Sequence, residues 1–130
     1  MSDQKSNALD RYQEATGRTA NHDFAAIIGR MQDNPVLIEL ANYALGAAGE
    51  AGEIADIVKK VVFHGHPLTQ EVIGEIVKEC GDELWYIARA TAALKVKLSK
   101  VAGGNIQKLK DRYPEGFDEQ KSINREEAPQ

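Results

Sequence analysis

Two acidic pairs are the first residues in this chain whose types and spacing could do chemistry. Glu50 and Glu53 stand three apart, and Glu79 and Asp82 repeat that spacing. On a helix, residues three apart are neighbours on one face. By spacing alone such pairs would read as ordinary decoration of a solvated helix surface. Their neighbours argue otherwise. Glu50 and Glu53 share a stripe with Tyr43, Ala47, Ile54, Ile57 and Val61. Val72 and Ile76 precede Glu79, and Trp85 and Tyr86 follow Asp82 at helical spacing. Both pairs are therefore expected at or beside an apolar seam. Gathering four carboxylates there would cost several kcal/mol per unpaired ion and raise their pKa values unless cations intervened.

A divalent metal resolves that conflict, and the donor set says which kind. All four ligands would be hard oxygens, with no thiolate and no imidazole at matching spacing, so Mg²⁺ is favoured, with Mn²⁺ as a substitute. A ferritin-like di-iron bundle needs Glu-x-x-His. Here the positions three after Glu50 and Glu79 hold Glu53 and Asp82. Because Mg²⁺ keeps waters and commonly shares its shell with substrate phosphates, the expected ligand is a nucleotide or another polyphosphate.

The elements that must position these acids are helices. A short helix is expected from Asn7 to Thr16, stopped by Gly17, and another from Asn21 to Gln32 with Phe24, Ile27, Ile28 and Met31 at helical spacing. Asp33-Asn34-Pro35 reads as a helix start. From Pro35 to about Phe63 runs a wide apolar stripe of helical period, with Lys59 and Lys60 in the last turn, where cations suit the helix dipole. The loop His64-Gly65-His66-Pro67 breaks it. Thr69 can cap the next helix, whose periodicity continues to about Leu98. Two long helices joined by a short loop make an antiparallel hairpin, which brings Glu53 roughly level with Glu79. Ser99 is the expected cap of a last helix that ends at Tyr113 before Pro114, with Gly103-Gly104 weakening its first half. The fold class is thus all-α, a helical bundle built on the hairpin. Residues 1–116 form one domain, and residues 117–130 a polar, mobile tail.

Composition narrows the function. A chain of 130 residues holds one domain, and 42% hydrophobic with 28% charged residues is ordinary for a folded one. A net charge of −4 argues against a domain that binds nucleic acid by neutralising its backbone. One cysteine, Cys80, excludes an intrachain disulfide framework. The stretch from Met1 to Tyr12 lacks a signal-peptide apolar run, and no segment approaches the ~20 apolar residues that span a bilayer. A soluble, cytoplasmic protein without a membrane partner is expected. Alanine-rich helices long for so small a chain predict self-association, as a homodimer or homotetramer that completes the bundle.

Taken in order, Gly49-Glu50-Ala51-Gly52-Glu53, Glu79-Cys80-Gly81-Asp82, Asn105-Ile106-Gln107-Lys108-Leu109 and Arg112-Tyr113-Pro114 resemble the MazG-type nucleoside triphosphate pyrophosphohydrolases, kin of the all-α dimeric dUTPases and phosphoribosyl-ATP pyrophosphatases. Gly49 and Lys78 stand where many members have another Glu; neither replaces one of the four metal-ligand candidates. The resemblance implies metal-activated water attack at the α-phosphorus of a (deoxy)nucleoside triphosphate, releasing monophosphate and pyrophosphate. Glu53 is the first choice for catalytic base, because a carboxylate could both ligate the metal and accept a proton from the attacking water through a rearranged shell, the alternative being a purely ligating role. Asn105, Lys108 and Arg112 share a face of the last helix, and with Tyr113 they are the expected phosphate-binding residues.

The remaining candidates have plainer readings. His64 and His66 are loop residues lacking a third ligand, Cys80 and Trp85 are expected to pack, and Asp56 is a supporting acid or the partner of Lys60. Two rivals stand beside the enzyme: a nucleotide sensor that binds without turnover, and a non-enzymatic helical protein-interaction module.

Overall fold

The computed structural model describes residues 7–124. They contain helices and no strand, the all-α class expected from the periodicity. The chain divides into two compact units, one ending at Pro35 and one beginning at Val36.

The first unit holds α1 (Ala8–Thr16), a 3₁₀ turn (Gly17–Thr19) and α2 (Phe24–Asp33). A capping box starts α1: the Asn7 side chain accepts the Leu9 N–H at 3.1 Å, and the Asp10 carboxylate accepts the Asn7 N–H at 3.2 Å. Asp23 caps α2 by accepting the Ala26 N–H at 3.0 Å, so this helix begins at Phe24 rather than Asn21.

The second unit is dominated by α3 (Val36–His64) and α4 (Gln70–Ala93), antiparallel helices of 29 and 24 residues in extensive contact. At about 1.5 Å per residue, α3 is some 43 Å long. Gly65 turns the chain in the left-handed region (φ 73°), and the His66 N–H reaches back to the Lys60 carbonyl at 3.2 Å. Thr69 caps α4 as expected, accepting the Val72 N–H at 3.3 Å.

The end of α4 differs from the expectation of a helix to Leu98. Lys95 adopts φ 57°, its N–H donates to the Ala92 carbonyl at 2.9 Å, and the Val96 N–H donates to the Thr91 carbonyl at 2.9 Å. This pair of bonds closes a Schellman motif, which ends the helix at Ala93. Its left-handed position usually carries glycine; with lysine there, side-chain periodicity runs straight through the stop.

Helix α5 spans Leu98–Arg112, preceded by Lys97, which makes no side-chain capping bond; Ser99 lies inside the helix and caps nothing. The Tyr113 N–H closes the helix on the Leu109 carbonyl at 2.9 Å, one residue before Pro114. Asp118 then caps a short helix, α6 (Glu119–Ile123), by accepting the Lys121 N–H at 2.8 Å. This element falls within the segment expected to be a polar, mobile tail; residues 125–130 lie outside the described part.

Along α3 the half-buried residues include Tyr43, Ala47, Glu50, Ile54, Ile57 and Val61, alternately four and three apart. On α4 Val72, Ile76, Glu79, Glu83 and Tyr86 follow the same rhythm. These lines face each other as the seam of the hairpin. The seam is shallow: among the described residues none is fully buried, and Leu45, Phe63, Val77 and Leu84 remain exposed on other faces.

Candidate metal centre

The hairpin brings together three of the four carboxylates singled out by spacing. Glu50 from α3 and Glu79 and Asp82 from α4 each offer an oxygen, all within 4.8 Å of one another. Glu50 and Glu79 are half-buried and Asp82 is exposed. The Glu50 carboxyl is held above its ordinary value, first by desolvation, then by a hydrogen bond with Glu79 and by the charges of Asp82 and Glu79, against a smaller lowering by Lys78.

Lys78 partly neutralises the group, a role its position as a departure from the family pattern did not suggest. Its Nζ lies 2.9 Å from Glu79 Oε1 and 3.3 Å from Asp82 Oδ2, and these contacts hold its own pKa above the usual lysine value, Glu79 contributing most. The Lys78–Asp82 interval of four residues was the legible signal. One exposed ammonium against three converging carboxylates leaves an excess of negative charge. Hard oxygen donors at this separation, one with a raised pKa, fit a divalent cation of the Mg²⁺ or Mn²⁺ kind.

Glu53 is exposed and outside the group. At 100° per residue, the middle of the line through Glu50 and Ile54 lies roughly 80° from Glu53, so the seam leaves this carboxylate on its flank. The expected level with Glu79 along the axis does not carry it inward.

The residues expected to hold phosphate lie on α5, which touches α4 sparsely and has no contact of comparable extent with α3. Asn105 and Lys108 are exposed, while Arg112 and Tyr113 are half-buried. Arg112 lines a polar cleft with Asp118, Gln120, Lys121 and Asn124. Tyr113 packs on Phe117 at 5.7 Å between ring centres and lines an apolar cleft with Ile106 and Leu109. Within one chain this face is thus built around α5 and α6.

Beyond the carboxylates the aromatic residues that spacing placed on the two stripes meet one another. Trp85 meets Tyr86 edge-on at 5.0 Å and Tyr43 edge-on at 6.1 Å, and the Arg89 guanidinium lies 5.8 Å from the Tyr43 ring centre. Trp85, expected to pack, is 54% exposed, and Cys80, also expected to pack, is exposed. Asp56 pairs with Lys60 at 2.7 Å and with Lys59, the partner role anticipated for it. His66 lines a cavity of about 180 Å³ at the closed end of the hairpin with Ile57, Lys60, Val61, Val72 and Glu75; neither it nor His64 belongs to the carboxylate group.

Residues 39–117 match the family model of the MazG nucleotide pyrophosphohydrolase domain, a span that contains all four acids and the α5 face. The chain is 35% identical over 118 residues to the Gene 37 protein of Mycobacterium phage L5, covering 90% of this chain and 98% of that protein. No solved structure matches. No described helix is long and apolar enough to cross a membrane.

Proposed function

Because the chain belongs to the MazG nucleotide pyrophosphohydrolase family, we propose that it hydrolyses (deoxy)nucleoside triphosphates to monophosphate and pyrophosphate in a Mg²⁺-dependent reaction. The observation that carries this reading is the convergence of Glu50, Glu79 and Asp82 within the matched segment. These three residues would hold the cation, with Mn²⁺ as a substitute. When bound, the cation supplies positive charge to the triphosphate and lowers the pKa of water.

In the proposed reaction water attacks the α-phosphorus and the bond from that phosphorus to the bridging oxygen breaks. Pyrophosphate leaves with the bond's electrons. Glu53, one helical turn from Glu50 on α3 but outside the group, accepts the proton released by water. Asn105, Lys108, Arg112 and Tyr113 are proposed to donate to phosphate oxygens, an amide, two cations and a hydroxyl from one end of the chain. The working unit is proposed to be a homodimer or homotetramer, supported by the absence of any fully buried residue among those described.

The test is a panel of canonical and damaged NTPs and dNTPs incubated with Mg²⁺, with products separated to distinguish pyrophosphate from stepwise phosphate release. Pyrophosphate and monophosphate in equal amounts, abolished by chelation, support the proposal. Nucleotide binding with no cleavage of any triphosphate would single out a sensor instead.

A further inference from the structure

In α3, Gly46 faces the ring of Tyr86 in α4 so closely that a Cβ there would overlap the ring's Cδ1, Cε1 and Cζ atoms. The other four glycines of the hairpin helices, Gly49, Gly52, Gly74 and Gly81, have nothing within 4 Å of the same position. A glycine in mid-helix weakens the helix relative to alanine, and only at Gly46 does the packing require one.

The contact lies one helical turn from Glu50 and Asp82 and two from Glu79. Gly46 is four residues before Glu50, and Tyr86 four after Asp82 and seven after Glu79, about 6 Å and about 10 Å along the axes. The Tyr86 ring is also linked to a chain of further side chains. Trp85 abuts it edge-on at 5.0 Å, Tyr43 abuts Trp85 at 6.1 Å, and Arg89 covers Tyr43 at 5.8 Å. A ring so held cannot swing away without disturbing its neighbours, so its thickness against bare backbone determines how near α3 comes to α4 at that level. Mg²⁺ demands near-ideal oxygen geometry at about 2.0–2.1 Å, and a change of a few tenths of an ångström in helix separation exceeds that tolerance.

We propose that Gly46 and Tyr86 form a spacer that sets the α3–α4 separation at Glu50, Glu79 and Asp82, making both of them positioning residues for divalent-cation binding. The proposal rests on the reading of those carboxylates as a cation site. It is independent of whether any nucleotide is cleaved.

The test is a double-mutant cycle read by Mn²⁺ titration calorimetry on the full chain, with thermal midpoints measured in parallel without metal. Gly46→Ala is expected to weaken Mn²⁺ binding about tenfold, and Tyr86→Ala about threefold. The double variant should lose about threefold rather than the thirtyfold of independent effects. Tyr86→Phe, which keeps the ring, should bind within twofold of the parent, as should Gly74→Ala, a helix glycine with no facing atom. Multiplicative losses, or an unchanged affinity in Gly46→Ala, overturn the proposal. If Gly46→Ala does not fold, the double variant must fold and bind; failure of both overturns it as well. A parent chain that binds no Mn²⁺ sinks the cation-site reading and, with it, the proposal's role in metal binding. The spacer itself is then judged by the metal-free melts, where Gly46→Ala must lower the midpoint and the added Tyr86→Ala must restore it.

Discussion

At the residue scale, the division of labour among the four acids makes different demands on each. Glu50, Glu79 and Asp82 converge, whereas Glu53 stands aside. Replacing Glu53 by Gln should therefore lower kcat by about 10²–10⁴, the range for losing a general base, while Mn²⁺ affinity stays within about threefold of the parent. Glu79→Gln should instead abolish Mn²⁺ binding and turnover together, because it takes a carboxylate charge out of the proposed ligand group while leaving a side chain that can still hydrogen-bond Glu50. Calorimetry beside steady-state kinetics separates the two outcomes; equal loss of binding in both variants would make Glu53 a ligand. The acids could be found from sequence because their apolar neighbours marked a seam. Which acid points inward could not, since Glu50 and Glu53 differ by a rotation that only the line of packing on α4 decides. The Gly46–Tyr86 contact was equally hidden, since a glycine in a helix has many ordinary explanations, whereas Lys78 left one readable mark, its four-residue interval to Asp82.

At the scale of elements, the C-terminal portions of α3 and α4 are stabilised in opposite fashion. Asp56 is held down to about 2, first by its hydrogen bonds with Lys59 and Lys60 and then by their charges, against some desolvation. For a carboxyl lowered from an ordinary value of 3.8, the stabilisation is fully present above that value and is lost as pH falls toward 2. Melts of the parent and Asp56→Asn should thus differ near pH 6 and converge between pH 3.8 and 2; a gap that persisted unchanged to the acid end would mean the carboxylate's charge is not what matters. At the end of α4, Lys95 in the left-handed region (φ 57°) carries a strain of about 1 kcal/mol that glycine does not. Lys95→Gly should raise the thermal midpoint by a few degrees, whereas destabilisation would show that the lysine side chain contributes more than its backbone costs. The same residue explains the legibility of the fold. Periodicity and caps exposed the hairpin, its loop and Thr69, because those signals are local. The stop at Ala93 is written in backbone hydrogen bonds around a lysine, and nothing in its side-chain type announces it.

At the scale of the whole molecule, the apolar stripe that made the helices legible is more than one hairpin can cover. Two helices offer each other one line of contact, and at roughly 25 cal/mol per Å² of apolar surface removed from water, half-covered side chains contribute only part of what full burial would. Phe63 at 79%, Leu45 at 74% and Val77 at 64% exposure lie off that line. Further copies of the same hairpin would cover them and deepen the seam in which Glu50 and Glu79 sit, a closed symmetric assembly being the common solution. Sedimentation should accordingly find two or four chains per particle. The assembly's thermal midpoint should rise with protein concentration, because association with the folded state draws the equilibrium away from the unfolded chain. Leu45→Asp or Phe63→Asp, which place a charge on the uncovered faces, should shift the particle toward single chains and lower the midpoint. A parent that sediments as a single chain, with a midpoint indifferent to a hundredfold dilution, would remove the oligomer from the proposal and require the exposed faces to be stable in water unaided.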